Sequence, residues 1–371
     1  MIFAIALILL VIGSVAFHFF SPWYLTPLAS DWSTIDDTIN ITFWITGAVF
    51  VAVNLFMAWC VVKFRYKKNT RSHYQPENKK LELWLTGLTA LGVAAMLAPG
   101  LYVWADFVNP PEDADILEVV GKQWQWSYRF PGDDGVLGTV DTRHTTAANP
   151  LGINPNDPNG QDDIIVATGD LHIPIDRPVK MLLRSQDVLH DFAVAEFRVK
   201  MDLVPGIVTY LWLTPTVLGT YDVLCEELCG IGHYKMRSQV VVDTQKGYSA
   251  WLKTHPTYAQ TVAGTGPASN IGLSLVEKGR RLSQSSGCVA CHSIDGSAGV
   301  GPTWLGLYGK TETLADGSTV VVDEAYLKES IVSPNVSIVQ GYAPIMPPGN
   351  FTDEEIEALI AYTKEGVGSG S

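Results

Sequence analysis

Three stretches of this 371-residue chain, 2–20, 41–62 and 83–105, contain no Asp, Glu, Lys or Arg. Coiled as helices, each is long enough to cross about 30 Å of hydrocarbon. A chain that begins this way is committed to a bilayer, and its remaining two thirds must fold outside it. Charged residues make up 17% of the whole, below the roughly 25% of soluble domains, and the deficit lies in these first 105 positions. Between the second and third stretches, 63–80 holds Lys63, Arg65, Lys67, Lys68, Arg71, Lys79 and Lys80 against the lone acid Glu77. By the positive-inside rule that connection is cytoplasmic, so everything after residue 105 lies on the outer side. The first stretch carries Ser14-Val15-Ala16, a small-x-small triplet like a cleavage site, but no basic segment precedes its apolar run. Three retained spanning helices in an anchor over 1–110 are therefore expected.

Beyond the anchor the pattern changes to period two. Trp124, Trp126, Tyr128 and Phe130 alternate with Gln123, Gln125, Ser127 and Arg129, as in a half-buried strand. Short β-rich runs follow, punctuated by Pro, Gly and Asp, and predict an all-β sandwich or barrel over 111–250. Inside it, 131–163 is crowded with Gly, Asp, Asn and Pro and reads as a long surface loop. Residues 251–272 have the Thr, Ala, Gly and Pro content of a linker. A short helical domain follows over 273–366, where Thr352 and Glu355 form a capping box ahead of the face Ile356, Leu359, Ile360, Thr363. The tail, 367–371, has little to pack. A formal net charge of −13 excludes a nucleic-acid binder, which needs a concentrated basic face.

Cysteine spacing points to chemistry. Cys60 lies within an apolar helix, where it reads as a small apolar side chain. Cys288-Val289-Ala290-Cys291-His292 is the C-x-x-C-H attachment sequence of a c-type haem, with a zinc or redox role as the plainer alternative. Two thioethers would hold the porphyrin and His292 would bind the iron. After His292 there is no other His, and the one Met is Met346, within Pro344-Ile345-Met346-Pro347-Pro348. It is the candidate second axial ligand, and His/Met ligation suits an electron carrier. A second cluster runs from Cys225 through Cys229 and His233 to Met236. Two thiolates, an imidazole and a thioether form a soft set that selects copper; a structural zinc on the two Cys and His233 is the alternative. One Cys suffices for a mononuclear blue-copper site, so two suggest a pair of coppers bridged by sulfur, which asks for a second His. His190, between two strand-like runs, is the best placed; His144, His172 and His255 are left unassigned.

These residues resemble a family. GKQWQWSY at 121–128, SQDVLHDF at 185–192, KMDLVPG at 200–206, GTYDVLCEELCGIGHYKM at 219–236, GCVACH and IMPPG are similar to subunit II of haem-copper cytochrome c oxidases, in the caa3-type version with a fused C-terminal cytochrome c domain. The resemblance implies a cupredoxin-like barrel followed by an all-α cytochrome c domain. It implies a binuclear CuA centre held by His190, Cys225, Cys229, His233, Met236 and the carbonyl of Glu227, whose side chain would face a magnesium ion shared with subunit I. It puts Trp124 at the electron inlet and Glu82 near the mouth of a proton path. It further implies an electron-input subunit in the bacterial inner membrane, with both redox domains on the periplasmic side. Its partners would be subunit I, other oxidase subunits and a donor, either a soluble cytochrome c or a membrane-bound quinol-oxidising complex. A tethered electron shuttle without an oxidase is the alternative.

The fit is incomplete in three places. Trp84 follows Glu82 by two positions where the family has three, and Ile207 stands where many relatives have Arg. Arg129 occupies the usual place of an acid. The haem domain, by contrast, has 12 acidic and 6 basic residues from 274 onward. Charge complementarity then predicts that this domain docks on the barrel at Arg129 and Lys122.

Overall fold

The computed structural model describes all residues except 22–24, 69, 72–75, 147–148, 267–272, 350 and 368–371. Residues Met1–Pro110 and Pro111–Ser371 form two compact units.

The first unit holds three helices, α1 (Ile2–Phe20), α2 (Ser33–Lys63) and α3 (Lys79–Phe107), all long and apolar enough to cross a membrane. The last two outrun the uncharged stretches because polar residues at their ends, such as Asp36 and Lys79, remain helical. Asn78 caps α3 by accepting a hydrogen bond from the Leu81 amide. Ala4 and Leu7 of α1 pack on Ala58 of α2. No residue of α3 is buried, and Leu83, Trp84, Leu88 and Leu91 lie open. An uncovered apolar surface of this size calls for lipid or another subunit.

The second unit begins with β1 (Asp115–Lys122) and β2 (Gln125–Phe130), then β3 (Ile164–Val166), β4 (Leu171–Pro174), β5 (Val179–Ser185), β6 (His190–Val194), β7 (Val199–Leu203), β8 (Thr209–Leu213), β9 (Gly219–Leu224) and β10 (Arg237–Asp243). They form two five-stranded sheets, ordered β3-β2-β1-β5-β8 and β4-β10-β9-β6-β7. The expected barrel is thus an open pair of sheets. Alternate residues of β5, Val179, Met181, Leu183 and Ser185, are buried, and they share the core with Tyr128, Phe192 and Leu211. A parallel pairing of β1 with β5, from Asp115↔Val179 to Gly121↔Ser185, brings the ends of both strands together at one edge.

Strand β2 departs from the alternation expected of it. Its second face is covered too, because Leu151 and Ile153 from the segment after β2 pack in a cluster with Val120, Ile165 and Tyr258. This covering corrects the expectation for Arg129, which is 2% exposed. Its Nε lies 2.9 Å from Glu118 and its Nη1 2.6 Å from Asp163. It is a buried ion-pair residue and presents no docking charge, whereas Lys122 is exposed. Burial pushes the Glu118 carboxyl up, but the guanidiniums of Arg129 and Arg184 outweigh it and hold Glu118 below its ordinary value.

The region expected to be a linker is structured over its first part. Helix α4 (Gln245–Leu252) and the short α5 (Tyr258–Val262) lie against the sheets, with the Tyr258 amide donating to Asp163 O and the Ile165 amide to Pro256 O. The remainder, 267–272, lies outside the described residues. Then come α6 (Leu275–Ser285), α7 (Cys288–Cys291), the hairpin β11 (Thr311–Thr313) and β12 (Thr319–Val321), α8 (Glu324–Val332) and α9 (Asp353–Ala361). The helical domain therefore also carries a two-stranded hairpin. Thr352 and Glu355 form the capping box, and Ile356, Leu359, Ile360 and Thr363 are buried. Val367, expected in the loose tail, is buried in this core; 368–371 lie outside the described residues.

Helices α6 and α9 cross at Gly279, where an added Cβ would stand 1.9 Å from the Ala358 carbonyl oxygen. Backbone cannot yield there as a side chain would. Gly279→Ala is expected to destabilise the domain by about 1–3 kcal/mol. Thermal unfolding of the variant checks this, and an unchanged midpoint contradicts it.

Candidate metal and haem centres

The copper-type residues come from two places in sequence, framed by three strands, and meet at one edge. Strand β6 begins with His190, β9 ends just before Cys225, and β10 begins just after Met236. Pairing of Ala193 with Leu224 and of Leu224 with Arg237 sets these three strands side by side. The ligand run 225–236 is thereby the β9–β10 loop, closed by the Cys225 amide donating to Met236 O.

Within the loop, Cys225 Sγ lies 3.7 Å from Cys229 Sγ, 4.0 Å from His190 Nδ1 and 3.3 Å from the Glu227 carbonyl oxygen. Cys229 Sγ lies 3.5 Å from His233 Nδ1 and 3.9 Å from Met236 Sδ. Both thiols are free, their sulfurs well beyond the ~2.05 Å of a disulfide. All six groups singled out in the sequence are brought together. Two sulfurs, two imidazole nitrogens, a thioether and a carbonyl exceed the four donors of a structural zinc and match the preference of copper for soft ligands.

Electrostatics prepare one of the two thiols. Burial pushes Cys225 up, but the His190 ring and the Asp191 amide reverse this and hold its thiol below the ordinary range. Burial, and then the charge on Cys225, push Cys229 up. Metal binds the deprotonated sulfurs, so loading the site releases protons.

One residue escaped the reading of the sequence. Asp187 Oδ1 lies 2.8 Å from His190 Nε2, a contact that leaves Nδ1 facing the sulfurs. Asp187 Oδ2 also accepts from the Gln123 amide at 2.8 Å, tying the β1–β2 turn to the ligand strand. The only sequence signal was its place three residues before His190.

Trp124 lies against the loop. Its indole N–H donates to Cys229 O at 3.1 Å. A Cβ on Gly232 would stand 2.3 Å from the Trp124 ring, so the glycine is there to admit the indole. Glu227 is half-buried, and Glu82 is exposed in the first turn of α3. His172 Nδ1 pairs with Asp243 at 2.6 Å and stacks on Trp251, which His255 also contacts.

At the haem motif, α6 ends and Gly287, at φ +75°, turns the chain into α7. Cys288, Cys291 and His292 are half-buried. His292 Nδ1 donates to Pro302 O at 2.7 Å, which leaves Nε2 for a metal, and its ring stacks on Trp304 with centroids 5.2 Å apart. A Cβ on Gly301 would stand 2.7 Å from that ring, so the chain wraps the imidazole closely. Burial pushes His292 below the ordinary histidine value, favouring the neutral form that binds iron. Met346 sits half-buried in the Pro-rich segment ahead of α9.

Comparison with known proteins agrees with both centres. Residues 116–244 match the family of cytochrome c oxidase subunit II periplasmic domains, which implies CuA copper. Residues 276–365 match the cytochrome c family, which implies haem c. The alternative cytochrome c oxidase subunit 2 of Bradyrhizobium diazoefficiens is 60% identical over 256 residues, covering 69% of this chain and 92% of that protein. The cytochrome c oxidase subunit 2 of Alkalihalophilus pseudofirmus is 24% identical over 337 residues, covering 88% of this chain and 85% of that protein. Among solved structures, the periplasmic domain of oxidase subunit II from Bradyrhizobium japonicum is 26% identical with a TM-score of 0.30, covering 39% of this chain and 96% of that one.

Proposed function

The chain belongs to the cytochrome c oxidase subunit II family, and from that premise we propose that it is the electron-input subunit of an aerobic haem-copper oxidase, passing electrons from a donor through haem c and CuA to subunit I. The observation that carries the reading is the meeting of Cys225, Cys229, His190, His233, Met236 and the Glu227 carbonyl around two sulfurs 3.7 Å apart. Copper bound there and haem bound at Cys288 and Cys291 would each supply one-electron exchange. The chain's own residues hold the donors in place. Asp187 fixes the His190 ring, the Pro302 carbonyl fixes His292, and the indole of Trp124 covers the loop on the side of the Cys229 carbonyl. Burial of both cysteine sulfurs keeps water from the donors.

Met346 is the proposed second ligand to haem iron, supported by its place on a proline-held segment. The Glu227 side chain is the proposed link to a magnesium ion at the boundary with subunit I. Glu82, at the start of α3, is the proposed mouth of a proton path. The three apolar helices would span the bacterial inner membrane, with the basic connection in the cytoplasm and both redox domains outside. Oxygen reduction belongs to another polypeptide, since His18 is the sole histidine in α1–α3. The donor would be a soluble cytochrome c or a membrane-bound quinol-oxidising complex.

Isolation of the tagged chain from membranes tests this. It should bring down a large haem-bearing subunit, take up oxygen with reduced cytochrome c, and show a near-infrared mixed-valence copper band. Recovery of the chain alone, without oxygen uptake, would mark a tethered shuttle instead.

A further inference from the structure

The haem motif rests on the β domain through two side chains that bracket it, Gln125 of β2 and Lys235 of the copper loop. Before the motif, Gln125 Nε2 reaches the Ser285 carbonyl at 3.5 Å, and its Oε1 stands 2.7 Å from where a Cβ on Gly287 would be. After the motif, the Lys235 ammonium reaches the turn that wraps His292. A Cβ built on Gly299 would stand 3.3 Å from Lys235 Nζ, 2.6 Å from Cys291 O and 3.2 Å from Gly301 O. Gln125 adjoins Trp124, and Lys235 lies between His233 and Met236, so both contacts spring from the copper site itself.

From this juxtaposition we infer that Lys235 is a positioning residue, an electrostatic clamp that seats the acidic haem domain on the copper loop. Three further observations support it. Lys235 is half-buried although it stands on a tight turn. The domain it meets carries 12 acids against 6 bases, so a cation at the contact is complementary. The Lys235 ammonium adds to what holds Asp295 down, behind the larger effect of Ser297. Of the two cations that the sequence offered for this role, Arg129 is committed to Glu118 and Asp163, and Lys122 is exposed. A positive charge beside the haem motif also disfavours oxidised, more positive iron, so its loss lowers the haem potential.

The clamp rests on the oxidase reading for its rate measurement but has a readout of its own. In the assembled oxidase, Lys235→Met should slow haem-to-copper transfer roughly fivefold at low ionic strength, the upper range for a solvent-accessible charge contact. It should also lower the haem c midpoint potential. Lys235→Arg should restore both, Lys235→Glu should be slower still, and rising salt should narrow the gap between Met variant and parent. An unchanged rate and potential in the Met variant, with the near-infrared copper band intact, overturns the clamp. Should the variant lose copper, acylation of the unaltered oxidase decides: the Lys235 amine should be protected relative to exposed Lys122, and equal labelling overturns the proposal. A missing copper band in the parent protein sinks the oxidase reading instead, and leaves the labelling result to judge the clamp.

Discussion

Exchange of Cys225 for Ser is expected to cut electron delivery to oxygen at least about 100-fold while leaving the haem c spectrum unchanged. Even a supporting hydrogen bond to a metal ligand is commonly worth 10- to 100-fold, and Cys225 stands nearer the centre than that. Its sulfur approaches Cys229, His190 and the Glu227 carbonyl within 3.3–4.0 Å. Serine keeps the size and most of the packing, so the sheets that frame the loop should stand. The hydroxyl is a harder donor, and unlike the thiolate it stays protonated near neutral pH, so it cannot bridge soft copper. Haem attachment draws on Cys288 and Cys291, residues of a separate helix. Copper content relative to haem, the near-infrared band and oxygen uptake measure the outcome together. A variant that keeps the band would show that Cys225 does not hold the metal.

That site was legible in the sequence because its residues are close together along the chain. Cys225, Cys229, His233 and Met236 fall within one loop, and C-x-x-C-H within one turn, so spacing alone carries the chemistry. His190 needed a guess across 35 residues, which the pairing of β6 with β9 explains. Asp187 was illegible because an acid three residues from a histidine is common; its role follows from the parallel β1–β5 pairing that sets it beside Gln123. Lys235 was hidden in plain view within the ligand run, since its partner lies in another domain. The turn residues of 131–163 suggest a surface loop, and the apolar anchors Leu151 and Ile153 are too few to signal a cover. That cover is what buries Arg129: period two describes a strand with one wet face, and β2 has none.

Arg129→Met should cost the β domain about 3–5 kcal/mol, the usual penalty for leaving a buried charge without its partner, and lower its unfolding midpoint by about 10 °C or more. The guanidinium donates to Glu118, to Asp163 and to the Gly138 carbonyl at 2.8 Å. Methionine fills much of the space but offers none of these bonds, so two carboxylates remain where water does not reach. Arg184, 3.1 Å from Glu118, compensates one of them in part. Among the described residues Asp163 pairs with no second cation; burial already pushes its carboxyl up to about 6 with Arg129 present, and without Arg129 it rises further. The sign of the pH dependence follows. A folded-state carboxyl raised above its unfolded value takes up a proton as pH falls, and folding then gains stability. The defect of the Met variant should therefore be largest at neutral pH and above and shrink as pH falls toward 6, because the variant's Asp163, raised beyond the parent's value of about 6, takes up its proton first and then no longer needs a cation. Below 6 the parent's Asp163 protonates and gains in the same sense, so the gap has closed by then, while Glu118, held below the ordinary value, loses its favourable pairing only at lower pH. Thermal unfolding of parent and variant across that range checks both magnitude and slope. A deficit that is small at pH 7, or that does not vary with pH, would show that the buried carboxyls find their compensation elsewhere.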